Sequence, residues 1–269
     1  MTTAYYEHAA GPDPVARIAE IRSKPQEMAR LRGVVDAIPA EARRVLDVGC
    51  GPGIALDLLR AQRPEVVGVG VDLSRRAVEA GRAALGLELV QGRADALPFA
   101  DRSFDAVLAT ELLEHLPHGV YEAARGEIER VAGSAVVVTV PFREARERVS
   151  CPACGCRFHP FYHLRSFDRA ALEGLLPGFE CASIALTWTR GHFPGLRTAR
   201  RIKAALGWPA PLPRHTVCPQ CGFHRAPTTG PGGSADAAGA GLRRVVYGVM
   251  GAVPRPRRAR WARALYRRR

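Results

Sequence analysis

Residues 45–53 read VLDVGCGPG. The run Val45 to Gly49 is apolar apart from Asp47, the pattern of a strand buried on both faces. Gly49, Gly51 and Gly53 then let the backbone turn tightly and come close to a ligand. Ile54 to Ala61 follows with helical spacing. A glycine-rich turn between a strand and a helix is the opening of a nucleotide-type α/β site, but alone it is weak evidence. Its meaning depends on the chain around it.

Working outward, Val66 to Val71 reads as a second strand ending at Asp72. Ser74 can cap a helix whose apolar positions Ala77, Val78, Ala84 and Leu85 recur at helical spacing. Leu87 to Val90, Phe104 to Ala109 and Ala135 to Val140 read as further strands, and Tyr121 to Val131 as a helix. This alternation predicts an α/β fold: a doubly wound, Rossmann-like, mostly parallel sheet. Asp72 stands about 20 residues past the turn, where a carboxylate binds ribose hydroxyls in such folds. After Pro141 the rhythm breaks. A helix is expected over Phe167 to Leu176, a sixth strand over Phe179 to Trp188 and a basic helix over Leu196 to Leu206. Residues 227–241, PTTGPGGSADAAGAG, read as a flexible linker.

The turn is DVGCGPG rather than the GxGxxG of a dinucleotide site, and no lysine stands in it to cradle a phosphate. The segments VLDVGCGPG (45–53), GVDLS (70–74), ADALPFADRSFDAVLATELLEHL (94–116) and VVVTVPF (136–142) resemble the class I S-adenosylmethionine-dependent methyltransferases of the type 11-like group. The resemblance covers roughly residues 40–142. It implies S-adenosylmethionine as cofactor, with Gly49, Gly51 and Gly53 shaping the turn beside its amino-acid part and Asp47 orienting that part. It implies that Asp72 binds the ribose hydroxyls, Leu73 packs on the adenine, and Asp95 and Ala96 lie at the adenine edge. Thr110 and Glu111 would lie near the methyl group. Tyr5 and Tyr6 resemble the aromatic N-terminal segment that lids the cofactor.

Two places could supply acid–base chemistry. His115, in TELLEHL, is either a base facing the cofactor pocket or a packing residue. His163 and Arg165, in FYHLRSF, could deprotonate and anchor an acceptor, or could order a loop.

The same CPxCG unit occurs twice, at Cys151–Gly155 and Cys218–Gly222. Each CxxC turns two thiolates inward, so Cys151, Cys154, Cys218 and Cys221 supply the ligands of a closed, structural Zn²⁺ site. Reduced thiols or a redox pair are the alternative. Cys156, His159, His215 and His224 are spare donors that could replace a cysteine. Such a metal would clip two distant loops, 150–166 and 214–226, over the cofactor domain. Cys50 and Cys181 read as small apolar packing residues.

Charge is unevenly placed. The 269-residue chain has a net charge of +13, yet residues 190–269 hold 17 lysines and arginines against the single acid Asp236. The division expected is an N-terminal helical lid over 1–40, the methyltransferase domain over 41–226, the linker over 227–241 and a basic amphipathic tail over 242–269. In that tail Trp261, Ala262, Leu265 and Tyr266 would share one helical face. It would touch an anionic membrane surface or RNA phosphates, or stand solvated. No apolar run reaches the roughly 18 residues of a membrane span. The N-terminus lacks the basic start and apolar core of a secretory signal, so a cytoplasmic protein with peripheral membrane contact is expected.

Three functions are compatible with these observations. One is methyl transfer to a small-molecule, lipid or glycan acceptor. Another is RNA methylation that uses the basic tail and zinc module as a grip. The third is a non-catalytic binding module.

Overall fold

The computed structural model describes residues 13–144, 148–190, 216–223 and 257–269. Tyr5, Tyr6, the expected basic helix at 196–206, the linker at 227–241, His215 and His224 lie outside the described residues.

Two helices lead in: α1 (Pro14–Arg22) and α2 (Pro25–Asp36). Asp13 caps α1 by accepting from the Ala16 amide at 2.9 Å, and Pro14 pre-sets its first turn. Then follow β1 (Arg44–Val48), α3 (Ile54–Gln62), β2 (Val67–Asp72), α4 (Arg75–Leu85), β3 (Glu88–Gln91) and β4 (Phe104–Thr110). Ser74 caps α4 through the Ala77 amide, and Gly86 closes it in the left-handed region. A short 3-10 turn, Leu113–His115, leads to α5 (Val120–Val131) and β5 (Ala132–Pro141). Next come a two-stranded hairpin, β6 (Val149–Ser150) with β7 (Arg157–Phe158), and the short α6 (Arg169–Glu173). The chain closes with β8 (Phe179–Arg190) and β9 (Arg257–Arg268).

The sheet order is β3-β2-β1-β4-β5-β9-β8. The first five strands pair in parallel, and β9 lies antiparallel between β5 and β8. Parallel strands buried on both faces need apolar residues at successive positions. Accordingly Leu46 and Val48 of β1 and Val136 and Val138 of β5 share one core with α5, while Val45 and Val137 share the other with α2, α3 and α4. The doubly wound reading therefore holds.

The tail reading needs correction. Residues 257–268 form not an amphipathic helix but the sixth strand in sheet order. Alternation is the reason: Ala262, Ala264 and Tyr266 point into one face and are fully buried, with Leu265 on the other. That is a period of two, which suits a strand. The sheet is completed only by this strand, so the domain does not end at 226. Three of its arginines are engaged within the fold. Arg263 donates to the Gly33 carbonyl, Arg267 pairs with Glu41, and Arg268 binds the Glu129, Ala132 and Gly133 carbonyls. The expected helix over 167–176 shrinks to the five residues of α6, capped by Asp168. The lid reading holds no separate unit over 14–36, because Val34 and Val35 of α2 are part of the main core.

Candidate functional site

The glycine turn sits at the carboxyl end of β1. Gly49, Gly51 and Gly53 have φ of +76°, +54° and +83°, a region that side chains avoid. The Gly49 and Cys50 amides donate to the Val71 carbonyl, at 2.7 and 3.1 Å, and strap the turn to the end of β2. Asp72 then reaches across it. Its two carboxylate oxygens accept from the Gly51 amide and the Ser74 amide, each at 2.8 Å. Asp47 lies beneath, 1% exposed, and one of its oxygens has no hydrogen-bond partner. Burial first, and the Asp72 charge second, push its carboxyl up to about 7.

Leu73 follows β2, and Asp95 and Ala96 lie in the turn after β3. The Leu73 carbonyl accepts from the Gln91 side chain at 3.2 Å. Asp95 is held by the Arg93 guanidinium, and Ala96 bridges back to Arg93. Gly81 of α4 also shapes the turn, although the sequence reading passed over it. A Cβ there would stand 2.4 Å from the Pro52 carbonyl oxygen. Its signal was a glycine inside an otherwise regular helix, which costs stability unless close packing requires it.

A second group of side chains gathers after β4. Thr110 ends that strand, and Glu111 has φ +51°, an uncommon conformation for a residue with a side chain. Glu111 is held from four sides. Its amide donates to the Thr139 carbonyl at 2.9 Å. Its carboxylate accepts from Thr139 Oγ1 at 3.3 Å and Trp261 Nε1 at 2.6 Å, and lies 3.7 Å from Arg30. Leu112 packs on the glycine turn: a Cβ on Gly49 would stand 2.9 Å from its Cδ1. A cavity of about 250 Å³ is lined by three partners of Glu111, namely Arg30, Thr139 and Trp261, and by Gly33, Leu186 and Arg263 among others.

Glu114 is fully buried, and neither carboxylate oxygen has a hydrogen-bond partner. Burial, then the nearby Glu111, push its carboxyl well above the usual range. His115 Nε2 lies 4.0 Å from it. Burial first, then His163, push the His115 imidazole down to about 3. The His163 ring stacks on His159 and meets His115 edge-on, both at 4.9 Å, and its Nδ1 pairs with Glu144. Arg165 is engaged by the fold. Its guanidinium donates to the Leu113 carbonyl at 2.7 Å and to the Leu116 carbonyl, and covers the Tyr121 ring at 3.9 Å. These contacts order the loop.

The four cysteines of the CPxCG units come together. Cys151 Sγ lies 3.7 Å from Cys221 Sγ, Cys154 Sγ lies 3.6 Å from Cys218 Sγ, and all four sulfurs fall within 4.8 Å of one another. A disulfide would bring sulfurs to about 2.05 Å. Tetrahedral Zn²⁺ with bonds of about 2.3 Å would set them about 3.8 Å apart. The two knuckles are alike: the Gly155 amide donates to the Cys151 carbonyl and the Gly222 amide to the Cys218 carbonyl, both at 2.9 Å. Both glycines have positive φ, +72° and +71°. Cys156 lies outside this group, and His159 belongs to the group with Glu144 and His163.

A glycine turn, a β2-end acid and this strand order define a Rossmann-like domain. A family model described as a methyltransferase domain matches residues 45–134. The chain is 40% identical over 95 residues to a fatty-acid O-methyltransferase of Mycolicibacterium smegmatis, covering 34% of each chain. It is 32% identical over 106 residues to a ubiquinone biosynthesis O-methyltransferase of Azorhizobium caulinodans, covering 38% of this chain and 42% of that one. The chain thus spans well under half the length of these curated relatives. The solved YcgJ protein of Bacillus subtilis shares the fold, with a TM-score of 0.51 at 16% identity, over 90% of this chain and 98% of that one. These matches support a class I S-adenosylmethionine-dependent methyltransferase domain.

Proposed function

We propose that the protein transfers a methyl group from S-adenosylmethionine to an oxygen of a small-molecule, lipid or glycan acceptor. The observation that carries this reading is the clamp of Asp72 across three positive-φ glycines, above a buried Asp47 with an orphaned oxygen. These residues fit the cofactor. Asp47 would meet its ammonium, Gly49 and Gly51 would admit its amino-acid part, and Asp72 would take the ribose hydroxyls. When bound, S-adenosylmethionine supplies a methyl group on a sulfonium, already activated for displacement. The chain's task is then to align the acceptor and exclude water. The cavity walled by Leu186 and Trp261 is the natural place for the acceptor. The O-methyltransferase relatives support oxygen as the atom methylated.

The Cys151, Cys154, Cys218 and Cys221 cluster fits a structural Zn²⁺. Its four thiolates leave no open position for catalysis. It would pin the loop that carries His163. A cytoplasmic location remains part of this reading. Membrane contact and an RNA grip lose support from residues 257–268, whose buried side chains and arginines serve the fold. Among the described residues no helix is long and apolar enough to cross a membrane.

The test is calorimetry of the folded, zinc-loaded chain with S-adenosylmethionine, followed by mass spectrometry of extracts incubated with labelled cofactor. Micromolar binding that Asp72→Ala abolishes, and an extract component that gains one methyl group, are expected. Absence of binding by the folded parent would end the proposal.

A further inference from the structure

We propose that Glu114, His115 and His163 form a second metal centre, distinct from the cysteine cluster, that takes a divalent first-row transition cation. Their ligand atoms lie within 4.8 Å of one another. Glu114 is the telling member. It is fully buried, yet both of its oxygens lack a hydrogen-bond partner. A buried carboxylate is costly unless it is paired or coordinates a metal. Here the near neighbours include two further acids, Glu111 and Glu144, and Arg30 is the cation set against them. A cation would complete the charge balance.

The surroundings hold these three residues as a ligand set is held. Arg165 grips the Leu113 and Leu116 carbonyls, on either side of the Glu114–His115 pair. The Leu164 amide donates to the Glu114 carbonyl at 2.7 Å, which fixes the His163 loop to the same turn. With Glu144 on its Nδ1, His163 would offer Nε2 to the cation. A carboxylate behind a ligating imidazole is the usual outer partner of a metal-bound histidine. His159 stacks on the same ring and limits its rotation.

Two imidazoles and one carboxylate suit Mn²⁺, Fe²⁺, Co²⁺ or Zn²⁺ better than Mg²⁺ or Ca²⁺, which favour all-oxygen sites. Three protein ligands also leave open positions, unlike the cysteine cluster. Leu112, on the same turn, touches the glycine turn, so the ion would sit close to the cofactor. It could then hold an oxygen of the acceptor, a consequence that rests on the methyl-transfer reading, whereas cation binding itself does not.

Mn²⁺ is the probe, because thiolates compete poorly for it. The full chain, with its cysteine cluster loaded with Zn²⁺, is titrated with Mn²⁺, and the resonance signal of unbound Mn²⁺ is followed. One Mn²⁺ per chain is expected, with Glu114→Gln and His163→Ala each weakening binding tenfold or more. Glu144→Gln, a change on the partly exposed rim, is expected to weaken it about tenfold and His159→Ala to change it little. If the buried variants fail to fold these two decide the matter, since a comparable loss in His159→Ala would move the ion to the Glu144, His159 and His163 group and overturn the proposal. Failure of the parent to bind Mn²⁺, or unchanged affinity in the folded variants at Glu114, His163 and Glu144, overturns the proposal. S-adenosylmethionine affinity is measured in parallel without Mn²⁺. Its loss would count against methyl transfer and leave the metal result standing.

Discussion

Replacing Asp47 by asparagine should stabilise the cofactor-free protein and weaken cofactor binding at once. The native carboxyl is raised from 3.8 to about 7, by burial and by the Asp72 charge. In the unfolded chain it would ionise near the ordinary value. Between about pH 4 and pH 7 unfolding therefore releases a proton, and the parent loses stability as pH rises. The loss grows by about 1.4 kcal/mol per pH unit and levels off above pH 7, at about 4 kcal/mol. The amide of Asp47→Asn has no such titration. Parent and variant should be equally stable near pH 4, and the variant should lead by up to about 4 kcal/mol at pH 8. The affinity for S-adenosylmethionine should fall about 10- to 100-fold, the worth of a hydrogen bond to a charged group. Urea unfolding from pH 4 to pH 8.5 reads the first effect, and calorimetry the second. If the two stability curves run parallel across that range, the native carboxyl is not held protonated and the reasoning fails.

Gly81→Ala should cost about 1–3 kcal/mol by overpacking and lower cofactor affinity without touching the cofactor, because the new methyl would press on the Pro52 carbonyl; unchanged affinity by calorimetry would count against this. Tyr266→Phe removes a buried hydroxyl that donates to the Leu172 carbonyl at 2.7 Å, and thermal unfolding should show a loss of about 1–2 kcal/mol. Deletion of residues 257–269 should abolish cooperative folding, seen by circular dichroism, because β9 pairs with both β5 and β8; a soluble, cooperative product would contradict the strand's role. The pair Cys151→Ser and Cys218→Ser should release about one zinc per chain by elemental analysis and lower the melting temperature.

Much of this protein is local and therefore legible. The strand, the three glycines and the helix after them are written in a dozen residues, because φ freedom and hydrophobic spacing act over that range. Asp72 was found in the same way, at its fixed distance from the turn. The four cysteines were found because a repeated CPxCG unit encodes its own knuckle. The reading failed where a segment's partner lies far away. Trp261, Ala262, Leu265 and Tyr266 fit one helical face on paper, and Ala262, Ala264 and Tyr266 fit one strand face equally well. In the structure β5 and β8 present unpaired edges that β9 alone fills.

Arg165 shows the same limit at the scale of one side chain. Its sequence neighbours allowed an acceptor anchor, but the carbonyls of Leu113 and Leu116 take its guanidinium. The sequence by itself determined the sheet's parallel half, the glycine turn with Asp47 and Asp72, and the cysteine pairs. Only the tertiary structure decided that Trp261 would hold Glu111 across 150 residues, and that Glu114, His115 and His163 would meet around a buried carboxylate. Local patterns follow from short-range sterics and burial. Partner choice between distant segments follows from which edges and charges the folded sheet leaves unsatisfied.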